Sequence, residues 1–186
     1  MAGRKAIVSV WDKTGIPGLA AALHRHRFEI LSTSKTASVI EESGIPVTQI
    51  SEYTGAPEML GGRVKTLHPM IAGGILTTRE DSSVEPVDIV VCNLYPFSDG
   101  LARNVSHDEL MELIDIGGIP LPRAAAKNYA HVAAVPGPGF YPELIGELDR
   151  AGEVGEEMRL RLARRVFEMT GEYDRAIADY FASLSA

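Results

Sequence analysis

The chain has 186 residues, 45% of them hydrophobic and 23% charged, which suits one globular domain and excludes a disordered tail, a collagen-like fibre or a coiled coil. Its 18 Lys and Arg against 25 Asp and Glu give a net charge of −7, which argues against nucleic acid as a partner. No apolar run approaches the ~18 residues that cross a bilayer, Ala6 to Val10 is too short for a signal peptide, and a single cysteine, Cys92, excludes an internal disulfide; the cytoplasm is the default compartment.

In chain order, Ala6-Ile7-Val8-Ser9-Val10 predicts a strand, and Ile16, Leu19, Ala20 and Leu23 predict a helix from Ile16 to His26 with Pro17 in its first turn. Phe28 to Leu31 predicts a second strand, Ala37 to Glu42 a helix, and Val47 to Ile50 a third strand. Asp88 to Cys92 is a near-continuous apolar run of the kind buried on both faces in a parallel sheet. Ser106-His107-Asp108-Glu109 is a capping box opening a helix through Leu113. Val132 to Val135 predicts a further strand, and Tyr141 to Ala151 and Glu157 to Leu184 predict helices, the latter with Leu162, Val166, Met169, Tyr173, Ile177, Tyr180 and Leu184 in one apolar stripe. Strands alternating with helices predict one α/β domain over residues 1–186 with a mostly parallel sheet.

Such folds bind ligands beyond the carboxyl ends of their strands. There Ser32-Thr33-Ser34-Lys35-Thr36 offers hydroxyls, a lysine and helix-start amides suited to a phosphate, although a plain helix cap explains the same residues. Gly61-Gly62-Arg63-Val64-Lys65-Thr66-Leu67-His68-Pro69 packs cations, a hydroxyl and an imidazole into a loop; a solvated surface loop is the alternative, and the length of the irregular stretch from Ser51 to Pro69 favours function. Asp115 lies between Ile114 and Ile116, before Gly117 and Gly118, where a helix C-cap with a left-handed glycine is the commoner explanation. Arg123 and Lys127 share one helical face, for which plain solvation is likewise commoner. Jointly, Lys13, Lys35, Arg63, Lys65, Arg123 and Lys127 gather cations in an acidic chain, which points to a small anionic ligand, most simply a phosphate ester.

From about Ala6 onward the chain resembles the inosine monophosphate cyclohydrolase domain of the bifunctional AICAR transformylase/IMP cyclohydrolase family. The shared stretches are Ser9-Val10 with Asp12-Lys13-Thr14-Gly15, Tyr53-Thr54-Gly55 with Pro57-Glu58-Met59, Gly62 to Pro69, Asn93-Leu94-Tyr95-Pro96-Phe97, Ile114 to Gly118 and Arg123 to Asn128. The resemblance implies a methylglyoxal-synthase-like fold, a mostly parallel sheet flanked by helices on both faces. It implies closure of the pyrimidine ring of 5-formamidoimidazole-4-carboxamide ribonucleotide to inosine monophosphate and water, without metal or redox cofactor. It also implies that the family's transformylase domain is absent here.

The resemblance makes Lys127 the proton donor and acceptor, with Asp115, Tyr95 and Lys65 completing the catalytic group. Lys65, Thr66 and Asn93 would hold the base or its carbonyl oxygens; Lys13, Thr14, Ser32, Thr36 and Arg63 would hold the ribose phosphate and its surroundings. Asp12, Thr33, Ser34, Lys35, Leu67, His68, Leu94, Ile116, Gly117 and Arg123 complete the expected binding set.

Departures fall beside that set. Trp11 stands where the family has a serine, Ser34-Lys35 where it has a glycine pair, and Ile119-Pro120-Leu121-Pro122 where it has a segment such as Pro-Thr-Leu-Leu. They leave open a paralogue acting on a modified ribotide in specialised nucleoside, for instance nucleoside-antibiotic, biosynthesis, or a non-catalytic ribotide-binding module. A methylglyoxal synthase rests on fold alone. A phosphorylated ribotide is the expected partner, with no nucleic acid or membrane; a homodimer and a separate formylating enzyme stay open.

Overall fold

The computed structural model describes residues 3–62, 66–80 and 83–184. Strands β1 (Arg4–Val10), β2 (Phe28–Ser32), β3 (Thr48–Gln49), β4 (Ile89–Asn93) and β5 (Ala133–Val135) form one sheet of order β3-β2-β1-β4-β5, every neighbouring pair parallel. Its helices are α1 (Ile16–Arg25), α2 (Ser34–Glu42), α3 (Ile50–Thr54), α4 (Pro69–Leu76), α5 (Phe97–Ala102), α6 (His107–Glu112), α7 (Pro120–Lys127), α8 (Tyr141–Ala151) and α9 (Glu156–Leu184).

The pleat sorts the core into two layers. Ala6, Val8 and Val10 of β1 face one side, where Leu19 and Leu23 of α1, Ile40 of α2 and Leu144 and Leu148 of α8 cover them. Ile7 faces the other side, with Ile71 and Ile75 of α4 and Ala125 and Ala126 of α7. α9 closes the β5 edge: Met158 and Leu162 enter the first layer and Ala163 and Val166 the second. Tyr173 then joins Phe97 and Leu110 in a third cluster.

Some elements differ from the sequence expectation. α2 starts at Ser34 rather than Ala37, and Ile50 opens α3 instead of ending β3. The expected irregular stretch thus holds part of α3 and a 3₁₀ turn at Leu60–Gly62. α4 was hidden by Gly73-Gly74, helix-weakening residues required here because a Cβ on Gly74 would stand 2.8 Å from the Glu85 carbonyl oxygen. The Ser106/Glu109 capping box forms as expected. Pro120 and Pro122 both fall in the first turn of α7, where the amide they lack has no helical partner.

Topology places the site. From β1 the chain steps outward to β2 and β3, then crosses to β4 on the other side of β1. The loops leaving β1 and β4 therefore diverge, opening a crevice at the carboxyl ends of these strands.

Candidate functional site

A cleft of about 610 Å³ occupies that crevice. Asn93, at the end of β4, ties its two walls together. Its Oδ1 accepts from the amides of Trp11 (2.7 Å) and Asp12 (2.9 Å), and its Nδ2 donates to the Asp12 carbonyl (3.0 Å). The amide expected to read the base thus fixes the loop after β1. Within that loop Asp12 Oδ1 accepts from the Thr14 amide at 2.9 Å, and the Thr14 hydroxyl and amide hold the Asp12 carboxyl below its ordinary range. Lys13 borders the cleft, its Nζ donating to the Trp11 carbonyl at 3.0 Å; Asp12 and Thr14 do not line it.

The β2–α2 wall contributes Thr33, Ser34, Lys35 and Thr36. Thr33 takes the cap position in extended backbone, yet its hydroxyl makes no cap bond; it faces the Ser9 hydroxyl at 3.2 Å. Thr33 itself therefore does not cap the helix; the first-turn Ser34 amide donates to Glu58 Oε1 at 3.5 Å instead. Thr36 Oγ1 donates to the Val10 carbonyl at 3.2 Å, lacing α2 to β1. Ser32 is a correction to the expected binding set: fully buried, its hydroxyl turns into the sheet and donates to the Val8 carbonyl at 2.7 Å.

The opposite wall holds the acid–base groups. Asp115 is buried, and its Oδ1 accepts the Gly118 amide at 2.6 Å. A Cβ on Gly118 would lie 2.3 Å from Asp115 Oδ2, so glycine is required for this close approach. The left-handed glycines are 15, 44, 55, 61 and 152. Gly117 and Gly118 are thus no left-handed C-cap; Asp115 instead braces the turn into α7. Buried Thr66 donates to the Gly117 carbonyl at 2.7 Å. Tyr95 packs against Trp11 with ring centroids 5.0 Å apart, and burial, followed by the negative charge of Asp115, raises its hydroxyl pKa. Ile116 and Gly117 line the cleft as expected.

Other expected residues stand elsewhere. His68 caps α4, its Nδ1 accepting the Met70 amide at 3.2 Å; Leu67 is exposed and Leu94 packs in the third apolar cluster. Arg123 turns to α9, donating to Thr170 Oγ1 at 2.9 Å with its guanidinium over the Phe167 ring. Lys127 is exposed at the far end of α7. That helix leaves the cleft at Gly118 and ends where Asn128 donates to the Ile75 and Thr77 carbonyls, beside the amino ends of β4 and β5. Arg63 and Lys65 lie outside the described residues. Sequence reasoning gave no binding role to Ser9, Glu58 or Gly118, which line the cleft, although all three stood within shared stretches.

Comparison with known proteins agrees with this fold. Residues 15–120 match the MGS-like domain and residues 125–186 match the AICARFT/IMPCHase bienzyme family. The chain belongs to the MGS-like domain family, continuing into the bienzyme family over its C-terminal part. It is 50% identical over 195 aligned residues to the bifunctional purine biosynthesis protein PurH of Rippkaea orientalis, covering 98% of this chain and 38% of that protein. The PurH of Persephonella marina is 45% identical over 185, covering 95% and 36%. The chain thus spans well under half the length of these relatives. In structure it is similar to ForH, at 32% identity and a TM-score of 0.79, over 97% of this chain and 100% of that one.

Proposed function

We propose that the cleft closes the pyrimidine ring of 5-formamidoimidazole-4-carboxamide ribonucleotide, giving inosine monophosphate and water. The observation that carries this reading is the pairing of Asp115 and Tyr95 on one wall with Lys13 and Lys35 on the other. About 610 Å³ suits a mononucleotide.

The carboxamide nitrogen attacks the formyl carbon, and the resulting carbinolamine loses its hydroxyl as water. Asp115 takes the amide proton while the Tyr95 hydroxyl, kept protonated by its raised pKa, donates to the developing oxygen; Asp115 then returns its proton to the departing hydroxyl, and Tyr95 recovers one from the ring nitrogen as the C=N bond forms. Lys13 and Lys35 hold the 5′-phosphate. Lys65 directly precedes Thr66 in the chain and keeps the catalytic role the family implies. A formyl-transfer reaction must supply this substrate.

The test is to mix the protein with the formyl ribotide and follow inosine monophosphate by ultraviolet absorbance and mass spectrometry, with Asp115→Asn as control. Rapid formation by wild type alone supports the reading. Tight binding without turnover makes the protein a ribotide-binding module.

A second reading rests on Trp11. Its indole, in place of the family's serine, packs on Tyr95 and narrows the cleft mouth beside the proton donor. A modified ribotide is then the better substrate, and Trp11→Ser should improve use of the standard one. No improvement assigns Trp11 to packing.

A further inference from the structure

The groups assigned to proton transfer stand on separate loops, yet both lead back to one feature of the C-terminal helix. Tyr173 of α9 is buried, and its hydroxyl bonds twice to the segment before Asp115. It accepts the Asp115 amide at 2.8 Å and donates to the Leu113 carbonyl at 2.6 Å, clipping the turn that leaves α6. Leu113 ends that helix, so its carbonyl has no helical partner and would otherwise be orphaned. The Tyr173 ring meets Phe97 edge to face, centroids 6.3 Å apart, and Phe97 is fully buried. The Phe97 amide in turn donates to the Tyr95 carbonyl at 2.9 Å.

From this geometry we infer that Tyr173 is a positioning residue for ring closure: its hydroxyl fixes the backbone of Asp115, while its ring backs Phe97 behind Tyr95. The inference rests on the cyclohydrolase reading, because it assumes that Asp115 and Tyr95 do the chemistry. Among the anchors of Asp115 are the Gly118 amide on its carboxylate and the Tyr173 hydroxyl on its backbone amide. Loss of the second lets the carboxylate swing, and displacements near 1 Å cost about 100-fold in rate. The substrate-holding groups on the β1 and β2 walls do not touch Tyr173, so binding should survive.

Tyr173→Phe removes only the hydroxyl and keeps the contact with Phe97. Tyr180→Phe serves as control, since Tyr180 lies in the same aromatic cluster but bonds to His107 Nδ1 at 2.9 Å. With the formyl ribotide, Tyr173→Phe should lower kcat about 10- to 100-fold and leave KM within about threefold. Hydrogen exchange at the Asp115 amide should quicken in the same variant, while Tyr180→Phe matches wild type in both. Wild-type kcat in Tyr173→Phe, unchanged exchange at Asp115, or an equal loss in Tyr180→Phe would each overturn the inference. If wild type itself leaves the ribotide unchanged, the functional reading has failed, and the exchange comparison alone decides whether Tyr173 holds the Asp115 loop.

Discussion

The two ends of the parallel sheet both carry a cation-lined hollow, but they use their charges differently. At the amino end, about 490 Å³ is bordered by Arg4, Arg79 and Arg159. Arg159 donates to the carbonyls of Tyr129, Ala130 and Val154. Arg79 donates to the His131 carbonyl and pairs with Asp88 at 3.0 Å, while Arg4 donates to the Gly152 carbonyl and lies over Phe28. These guanidinium groups are joints between loops. At the carboxyl end Lys13 likewise donates to the Trp11 carbonyl, but there the cations border a cleft shared with Tyr95 and Asp115, where the chain diverges between β1 and β4. Cationic lining alone therefore does not mark a site; the acid–base groups beside the cations do.

The largest effect expected of this contrast is at Asp115. Asp115→Asn keeps an oxygen for the Gly118 amide but loses the base, and turnover should fall about 10²- to 10⁴-fold with the fold intact. Steady-state assay with the formyl ribotide checks this, and an active variant would move the chemistry away from the carboxylate. Gly118→Ala comes next. Its methyl cannot coexist with the carboxylate at 2.3 Å, so Asp115 must shift, at a cost of about 10- to 100-fold in kcat.

The buried tyrosine beneath the cleft gives a pH signature. Burial raises Tyr173 from 10.0 to about 12. The folded chain then holds that proton more tightly than the unfolded one, so its contribution is complete below 10.0 and declines as pH climbs toward about 12. Urea midpoints should fall between about pH 9 and about pH 11, and Tyr173→Phe should flatten that fall. An unchanged slope in the variant would assign the alkaline loss to other groups.

Lys127 tests the comparison most directly, because the family resemblance and the fold disagree about it. Standing at the amino end, Lys127 should be dispensable: Lys127→Ala should leave kcat within about threefold. A loss of about 10²-fold or more, as expected of an acid–base group, would break the distinction between the two ends.

Spacing in the sequence could show that Arg123 and Lys127 share a helical face. It could not show that α7 runs away from the cleft, because helix direction relative to the sheet is a tertiary property. Lys13, Lys35, Tyr95 and Asp115 were legible for the converse reason: each follows closely on a strand or a shared motif, and parallel topology gathers such positions. β1 and β4 announced themselves as short apolar runs, and α1 and α9 by helical spacing of apolar residues. Tyr173 read only as part of an apolar stripe, since its hydroxyl bond to Asp115 spans 58 residues and leaves no local pattern. Thr33 looked like a cap by type and takes the cap position, and only its hydroxyl's turn toward Ser9 shows that it makes no cap bond.

The smallest expected effect concerns a hydroxyl with no match. Tyr141 opens α8 beneath the loop after β1, its ring where a Cβ on Gly15 would approach to 3.2 Å. Among the described residues its buried hydroxyl lacks a hydrogen-bond partner, and burial, reinforced by Asp12, drives its pKa upward. A buried unsatisfied hydroxyl costs about 1–3 kcal/mol, so Tyr141→Phe, which keeps the ring, should be neutral or stabilising by up to about 1 kcal/mol. That corresponds to a rise in Tm of up to about 4 °C in a thermal melt. A fall of similar size would mean that the hydroxyl has a bridging water under the Asp12 loop. The amino end satisfies its guanidinium groups with the chain's own carbonyls, whereas the carboxyl end leaves a polar group unmatched beneath the loop that bears Trp11 and Lys13. A stabilised variant with slower turnover would tie that mismatch to the mobility of the loop, a stabilised variant with unchanged turnover would confine it to packing, and a destabilised one would remove it.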